Sequence, residues 1–488
     1  MPAAHLDSLQ SHYDVVVIGS GLAGMTGANR LARLGHRVLL LEHHSQLGGL
    51  ATSFRRPGGH IFDVSLHGFP QGMVKSCRKY WSPAVAASIR QIHDIRFDNP
   101  DFKLQTTFDR ADFTRLLTEH FRAPAEHVAA FFAHLRDMNY YDRDTRTIRD
   151  LFDEFFPARP DIHRLLLEPI AYANGSTLDD PAIAYGIVFS NFMNAGVFTF
   201  QGGTDVFIGR LTDELRASGV EIGRRCLVEK ILFESGPDGR PQARGVRVKS
   251  LRDGGERDIA CGAVFSNAGV KNTVLRLAGE ANVPAAFAAD AHAVRVNNSS
   301  AQVYIGVRAG ESLPRSGDLL FTSEASPFSS DELVDFHTTS RTFSIYYPET
   351  RPQLAAPRYA VVASLNQRWE DWAALDDADY ARHKARLVEE ALSGLEKHIP
   401  GSRAKTDWAE AATPRTVGRY TRHWEGTSFG TKFEGLRVSL ELPEHVPGLF
   451  HAGSVGIIMS GWLGALNYGV IVAAKTDAYL RSSASGAV

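Results

Sequence analysis

Apolar and polar positions along this 488-residue chain switch repeatedly between two periods. Val15, Val16, Val17 and Ile18 form an uninterrupted apolar run that reads as a buried strand. Residues 22–34 carry a helical pattern, and 38–41 form a second buried strand closed by Glu42. Within 113–156, Phe121, Val128, Phe131, Phe132 and Leu135 recur at helical spacing, with Asp112 and Pro124 as start signals. That stripe is expected to face a core rather than lipid. A second helical group is expected over 162–194. Strand-like runs at 227–233, 243–248 and 258–264 are separated by Pro237-Asp238-Gly239 and Asp253-Gly254-Gly255, a pattern of small antiparallel sheet. Residues 299–307 alternate as a half-buried strand does, with 343–348 and 359–365 as partners, and 380–398 reads as a long helix closed by Pro400 and Gly401. The segments interleave rather than divide into two tidy halves.

Composition narrows the class. With 44% hydrophobic residues, 22% charged residues and a formal net charge of -2, the chain reads as a soluble α/β enzyme of two or three compact units. Near neutrality gives no electrostatic case for a nucleic-acid partner. Cys77, Cys226 and Cys261 are widely spaced and form no C-x-x-C, so reduced, buried thiols in a cytoplasmic setting are expected. The first residues through Tyr13 lack an apolar core segment, so no signal peptide is expected. Residues 447–474 contain no Asp, Glu, Lys or Arg, but their glycines favour a buried strand, a cofactor-hugging turn and a buried helix over a membrane span.

The chemistry enters with Gly19, Ser20, Gly21, Leu22, Ala23 and Gly24, a G-x-G-x-x-G set between an apolar strand and a helix. Gly19 permits the tight turn, Gly21 admits a pyrophosphate close to the backbone, and Gly24 lets helix and strand approach. The pyrophosphate is expected at the positive end of the helix. Glu42 stands where a ribose 2′-hydroxyl would be held, and an acid there repels a 2′-phosphate. Neither H-E-x-x-H, nor a nucleophile elbow, nor a metal-spaced His/Cys cluster is present, so no metal is expected and the hard chemistry falls to an organic cofactor.

Beyond the fingerprint the chain resembles a known superfamily. Gly48, Gly49, Leu50 and Ala51, and after them Phe62-Asp63-Val64-Ser65, resemble the flavin-binding continuation of the flavin amine oxidase and phytoene desaturase superfamily, with Ser65 where that family usually has glycine. Gln201-Gly202-Gly203 resembles the turn that leads the chain back to the flavin domain, with Gln201 in place of the usual proline. Ser266-Asn267-Ala268, Arg351-Pro352-Gln353-Leu354-Ala355-Ala356-Pro357, Thr413-Pro414-Arg415-Thr416 and Gly426-Thr427-Ser428-Phe429-Gly430 resemble elements of the phytoene desaturase, carotenoid isomerase and retinol saturase branch. His451-Ala452-Gly453 resembles the strand end that reaches the flavin, whereas 459–469 replaces the usual Pro-Gly loop.

The resemblance implies a Rossmann-type FAD-binding domain interleaved with a substrate-binding domain of mixed sheet and helices. FAD-binding segments are expected at 1–70, 201–285 and 441–488, a helical, membrane-contacting substrate segment at 71–200, and a substrate sheet and helix at 286–440. It implies an FAD-dependent oxidoreductase acting on an apolar polyene or isoprenoid by desaturation, saturation or isomerisation, with peripheral membrane contact. FAD-contacting residues would then include His43 beside Glu42, Val228 by its backbone at adenine, Asn267, Gly453 and Gly464.

For catalysis, His67 could exchange a proton near neutral pH or be a structural histidine. Arg415 could stabilise developing negative charge or bridge two domains. Trp462 and Tyr468 could wall the flavin or lie in the core. Arg55 and Arg56 face either the pyrophosphate or solvent. An amine or porphyrinogen oxidase shares this pattern, and so does a flavin-free lipid carrier of the GDP dissociation inhibitor type.

Overall fold

A computed structural model describes residues 6–139, 145–236, 239–350, 358–456 and 458–485. The first sheet is centred on His12–Ile18, whose apolar run is buried from Val15 onward. Val38–Glu42 and then Glu221–Arg224 pair parallel on one side of it, and Glu256–Ser266 pairs parallel on the other. On its far edge Glu256–Ser266 takes antiparallel Pro241–Ser250 along its first half and parallel Leu449–His451 along its last three residues. Cys226–Ser235 completes the antiparallel extension. Strands far apart in sequence thus complete one dinucleotide-type sheet.

Two helices lie on this sheet because glycines let them approach. Leu22–Arg33 begins directly after Gly21, and Gly461–Ser485 crosses it at Gly469, where a Cβ would stand 2.4 Å from the Ala23 carbonyl oxygen. Ordinary Cβ contacts do not come that close, so the crossing admits only glycine.

The second sheet runs in the order Thr406–Ala412, Ser299–Val307, Ala360–Gln367, Arg341–Tyr346, Leu319–Thr322, Ile95–Asp98 and Lys103–Thr106. It is antiparallel except where Leu319–Thr322 meets Ile95–Asp98. Ala301, Val303, Ile305 and Val307 share a core with Leu387, Ala391 and Leu395 of the helix Asp377–His398. Phe121, Val128, Phe131, Phe132 and Leu135 lie in another core, which also takes residues from Ile148–Phe155, Pro160–Asn174 and Ala182–Met193.

A short hairpin, Ser53–Arg56 with His60–Asp63, links the two sheets. His60 packs over Gly306, where a Cβ would meet its ring at 2.5 Å. His60 Nε2 lies 2.7 Å from Asp407, and Arg56 pairs with Glu410 at 2.6 Å. At the other end of the hairpin, Asp63 accepts the Thr204 backbone N–H at 2.9 Å, at the start of the helix Gly203–Ala217.

The structure departs from the sequence reading in two places. Ser299–Val307 is buried on both faces rather than half-buried, because one face packs on helix and the other borders an internal cavity. The segment 71–200 is not wholly helical: Ile95–Asp98 and Lys103–Thr106 join the second sheet, and Ile89–Ile92 joins Val197–Phe200 and Phe69–Pro70 in a three-stranded sheet. The loop at 351–357 and residues 237 and 238 of the first proposed turn lie outside the described residues. Among the described residues no helix is long and apolar enough to cross a membrane. Cys77, Cys226 and Cys261 are buried and free.

Candidate functional site

One cavity of about 1620 Å³ runs from the glycine turns to the face of the second sheet. At its nucleotide end it is lined by Gly19, Ser20, Gly21, Leu22 and Ala23. Gly19 has φ +89°, a left-handed conformation that suits glycine. At Gly21 a Cβ would stand 2.5 Å from Asn267 Oδ1, and at Gly24 one would stand 2.1 Å from the Gly19 carbonyl oxygen. Gly24 therefore seats the helix on the turn and does not itself line the cavity. The helix Leu22–Arg33 has no side-chain cap and no acid in its first turn. Its leading amides and dipole are left for an anion, and this end fits a dinucleotide pyrophosphate.

Glu42 is nearly fully buried and bound on both oxygens. One accepts the Ser20 N–H at 2.9 Å and the Ser20 hydroxyl at 2.6 Å; the other accepts the His44 N–H at 2.8 Å and lies 3.0 Å from His43 Nδ1. Burial alone would raise its pKa, but His43, the Ser20 hydroxyl and the His44 amide together hold it below the ordinary carboxylate value. A charged carboxylate remains at this end of the cavity, which fits a ribose hydroxyl.

The second glycine turn closes over the first. Gly48 donates to the Ser20 carbonyl at 3.0 Å, and Gly49, Leu50 and Ala51 form a short turn along the cavity. Ser65 bonds the Leu50 carbonyl at 2.7 Å, so the residue standing in place of the usual glycine fastens this turn. Val228 lines the same end beside a register shift that interrupts its strand ladder. Asn267 bonds the Ile18 and Ala452 carbonyls through its backbone and side-chain nitrogens, at 2.7 and 2.9 Å. The residues present along this run fit FAD.

The remaining sequence-selected positions fall into different environments. Gly464 lines the cavity, where a Cβ would strike the Ile458 carbonyl oxygen at 2.3 Å. Gly453 lies just behind the wall, against the Ala268 carbonyl and His451. Trp462 borders the cavity while packing against Phe69, Phe200 and Phe207. Tyr468 does not line the cavity: its hydroxyl shares a buried cluster with Ser439, 2.5 Å away, and Ser439 in turn reaches His451. Its aromatic ring belongs to the first sheet's core.

His67 lines the cavity with Nδ1 2.7 Å from Ser344 Oγ. Burial lowers its pKa to about 4, outweighing Asp63 nearby, so the expected proton exchange near neutral pH gives way to a neutral imidazole. Arg415 lines the cavity and does not bridge two domains; its Nη2 donates to the Ala373 and Leu375 carbonyls and its guanidinium lies over Tyr380. Orphaned carbonyls at the end of the helix Trp369–Ala373 draw the cation there. Arg55 is exposed at the rim, and Arg56 is held by Glu410.

Several cavity residues escaped sequence reasoning. Asn272 lies close after the Ser-Asn-Ala segment, with its Oδ1 buried and without a hydrogen-bond partner. Tyr172 reaches the cavity from the helix Pro160–Asn174, and Ser300, Gln302 and Tyr304 reach it from alternate positions of Ser299–Val307. The period of two was visible in sequence; that its second face looks onto a cavity was not. Among the described residues no group of three His, Cys, Asp or Glu side chains could hold a metal ion.

Residues 17–81 match the NAD(P)-binding Rossmann-like domain family. The chain is 24% identical over 464 residues to the chloroplastic prolycopene isomerase of Arabidopsis thaliana, covering 86% of this chain and 75% of that protein. It is 22% identical over 518 residues to the all-trans-retinol 13,14-reductase of Macaca fascicularis, covering 93% and 83%. Cyclohexylamine oxidase from Brevibacterium oxydans shares the fold with a TM-score of 0.63 at 13% identity, covering 96% of this chain and 99% of the oxidase. The chain is thus similar over most of its length to a prolycopene isomerase and a retinol reductase, and it shares its fold with cyclohexylamine oxidase.

Proposed function

We propose that this protein is an FAD-dependent oxidoreductase acting on carbon–carbon bonds of an apolar polyene or isoprenoid. The observation that carries the reading is the single cavity joining an uncapped, glycine-lined helix start to a chamber walled by Phe69, Ile187, Val188, Phe192 and Trp462. Long-range similarity to a prolycopene isomerase and a retinol reductase supports the substrate class. The proposed partition is 1–70, 201–285 and 441–488 for FAD and 71–200 with 286–440 for substrate. Contact with a bilayer surface fits a substrate drawn from lipid.

When bound, FAD supplies hydride exchange with substrate carbon. The chain's part is to hold, orient and shield. Amides at the start of Leu22–Arg33 take the pyrophosphate, Glu42 takes the ribose, and the Val228 backbone meets adenine. Phe69, Phe192 and Trp462 exclude water from the reacting carbons. His67, neutral at pH 7, is a weak proton acceptor fixed in orientation by Ser344.

The test is an absorbance spectrum of protein purified without added cofactor, and then anaerobic mixing with polyenes before and after dithionite reduction. A yellow protein whose oxidised flavin bleaches on adding a polyene is a desaturase. One that changes the polyene only when reduced is a saturase or isomerase, separated by product mass. A colourless protein that cannot be reconstituted with FAD overturns the reading. The likeness to cyclohexylamine oxidase favours a second reading, amine oxidation. Bleaching by amines and not by polyenes would establish it.

A further inference from the structure

The sheet face that borders the cavity is not uniformly apolar, and one position on it stands out. Gln302 lies mid-strand in Ser299–Val307, is 7% exposed, lines the cavity, and its Oε1 has no hydrogen-bond partner. Two neighbouring polar groups on the same face are engaged. Ser300 and Ser428 bond each other at 2.7 Å, and the Tyr304 hydroxyl donates to the Val64 carbonyl at 3.0 Å. An unpaired buried amide oxygen is unfavourable, and a ligand group that completes it would recover that loss.

The strands on either side leave room for that group. Across the antiparallel ladders Gln302 faces Ser364 on one side and Ala412 on the other, and both line the cavity. Directly opposed side chains in such a ladder lie about 5 Å apart. Two small neighbours would therefore leave the Gln302 amide in a notch between them, on the same face as the Ser364 side chain. The opposite face of the strand, Ala301, Val303 and Ile305, is closed by the helix Asp377–His398, so the notch opens only toward the cavity.

We propose that Gln302 is a specificity residue: its amide receives a hydroxyl carried by the substrate, making the preferred ligand an oxygenated polyene rather than a pure hydrocarbon. A hydroxyl donates to Oε1 and accepts from the Ser364 side chain, so both polar groups of the notch are used. A hydrocarbon would leave the amide unpaired. This inference rests on the polyene reading above and narrows it.

The test measures binding to the FAD-loaded, full-length protein, independently of turnover. All-trans-retinol and the hydrocarbon with hydrogen in place of its hydroxyl are titrated while flavin fluorescence and polyene absorbance are monitored, in the natural protein and in Gln302→Met and Gln302→Leu. The natural protein is expected to bind the alcohol about tenfold more tightly than the hydrocarbon. Both variants should abolish that preference by weakening the alcohol alone, with FAD content and flavin spectrum unchanged. Gln302→Met keeps the side chain's length and guards against a cavity effect. Equal binding of the two probes by the natural protein, or a preference that survives both substitutions, overturns the subsite and leaves the polyene reading standing. Binding of neither probe by the yellow protein overturns both.

Discussion

Along Gly19, Ser20 and Gly21 the cavity meets backbone, whereas along Ser300, Gln302 and Tyr304 it meets side chains. The first wall takes its shape from glycines held by a left-handed φ at Gly19 and by a close approach to Asn267 at Gly21, in turns closed by carbonyl and amide groups. The second takes its shape from an ordinary pleat, in which any pair of alternating residues would preserve the strand. A wall made of backbone fixes one ligand chemistry. A wall made of pleated side chains can change its chemistry while the fold stays the same, and there substrate choice is written.

The largest effect is expected just behind the backbone wall, where packing is least forgiving. Gly24→Val places a branched side chain against the Gly19 carbonyl, 2.1 Å from its first carbon, and should destabilise the protein by about 3 kcal/mol or more and abolish FAD retention. Urea unfolding and flavin content after gel filtration measure both. A variant that still folds and holds FAD would break the comparison.

Next come two histidines, one deep under the first sheet and one at the cavity. Burial holds both His451 and His67 at about 4. The unfolded chain takes up a proton as pH falls through about 6.5, while the native imidazole resists until about 4. Stability is therefore full above the unfolded value, is lost as pH falls between the two, and levels off below the native one. For His451, 1% exposed and seated between Ser439 and the Ala268 carbonyl, the full loss is about 3 kcal/mol. His451→Gln should flatten that slope in urea titrations from about pH 7 to about pH 4. His67→Gln should flatten it less, because His67 borders the cavity, and should also alter ligand binding. Equal slopes in all three proteins would refute the assignment.

The smallest effect sharpens the comparison. Arg415→Leu removes hydrogen bonds to the Ala373 and Leu375 carbonyls and should cost about 1 kcal/mol in thermal unfolding with the flavin spectrum unchanged. A large loss of turnover without loss of stability would instead place Arg415 at the reacting atoms.

The same contrast explains what could be read from the chain beforehand. Glycines at 19, 21 and 24 declare a backbone conformation, and Glu42 stands at a fixed distance from them, so the nucleotide end was legible locally. Strand 299–307 was legible as a strand. Its burial on both faces was not, because the second covering layer comes from residues far away in sequence. His67 and Arg415 carried familiar chemical types, yet burial decides the charge of the first and two helix-end carbonyls decide the partner of the second. Tyr468 was recognisable as an aromatic in an apolar segment, but only the turn of its helix decides that it faces the core. Ile95–Asp98 went unread because a four-residue strand pairing with a segment over two hundred positions away leaves little periodic trace.

The hairpin that seats His60 on Gly306 acts as a spacer gauge between the two sheets. Its own strands are pinned at one end by Asp63 on the helix Gly203–Ala217 and at the other by Asp407 and Glu410 on the edge strand of the second sheet. Widening the gap means breaking the Arg56–Glu410 ion pair and the His60–Asp407 hydrogen bond while lifting an imidazole off a glycine cut to receive it. Substitutions that release either end of the hairpin should therefore loosen the spacing of the two sheets between which the cavity runs.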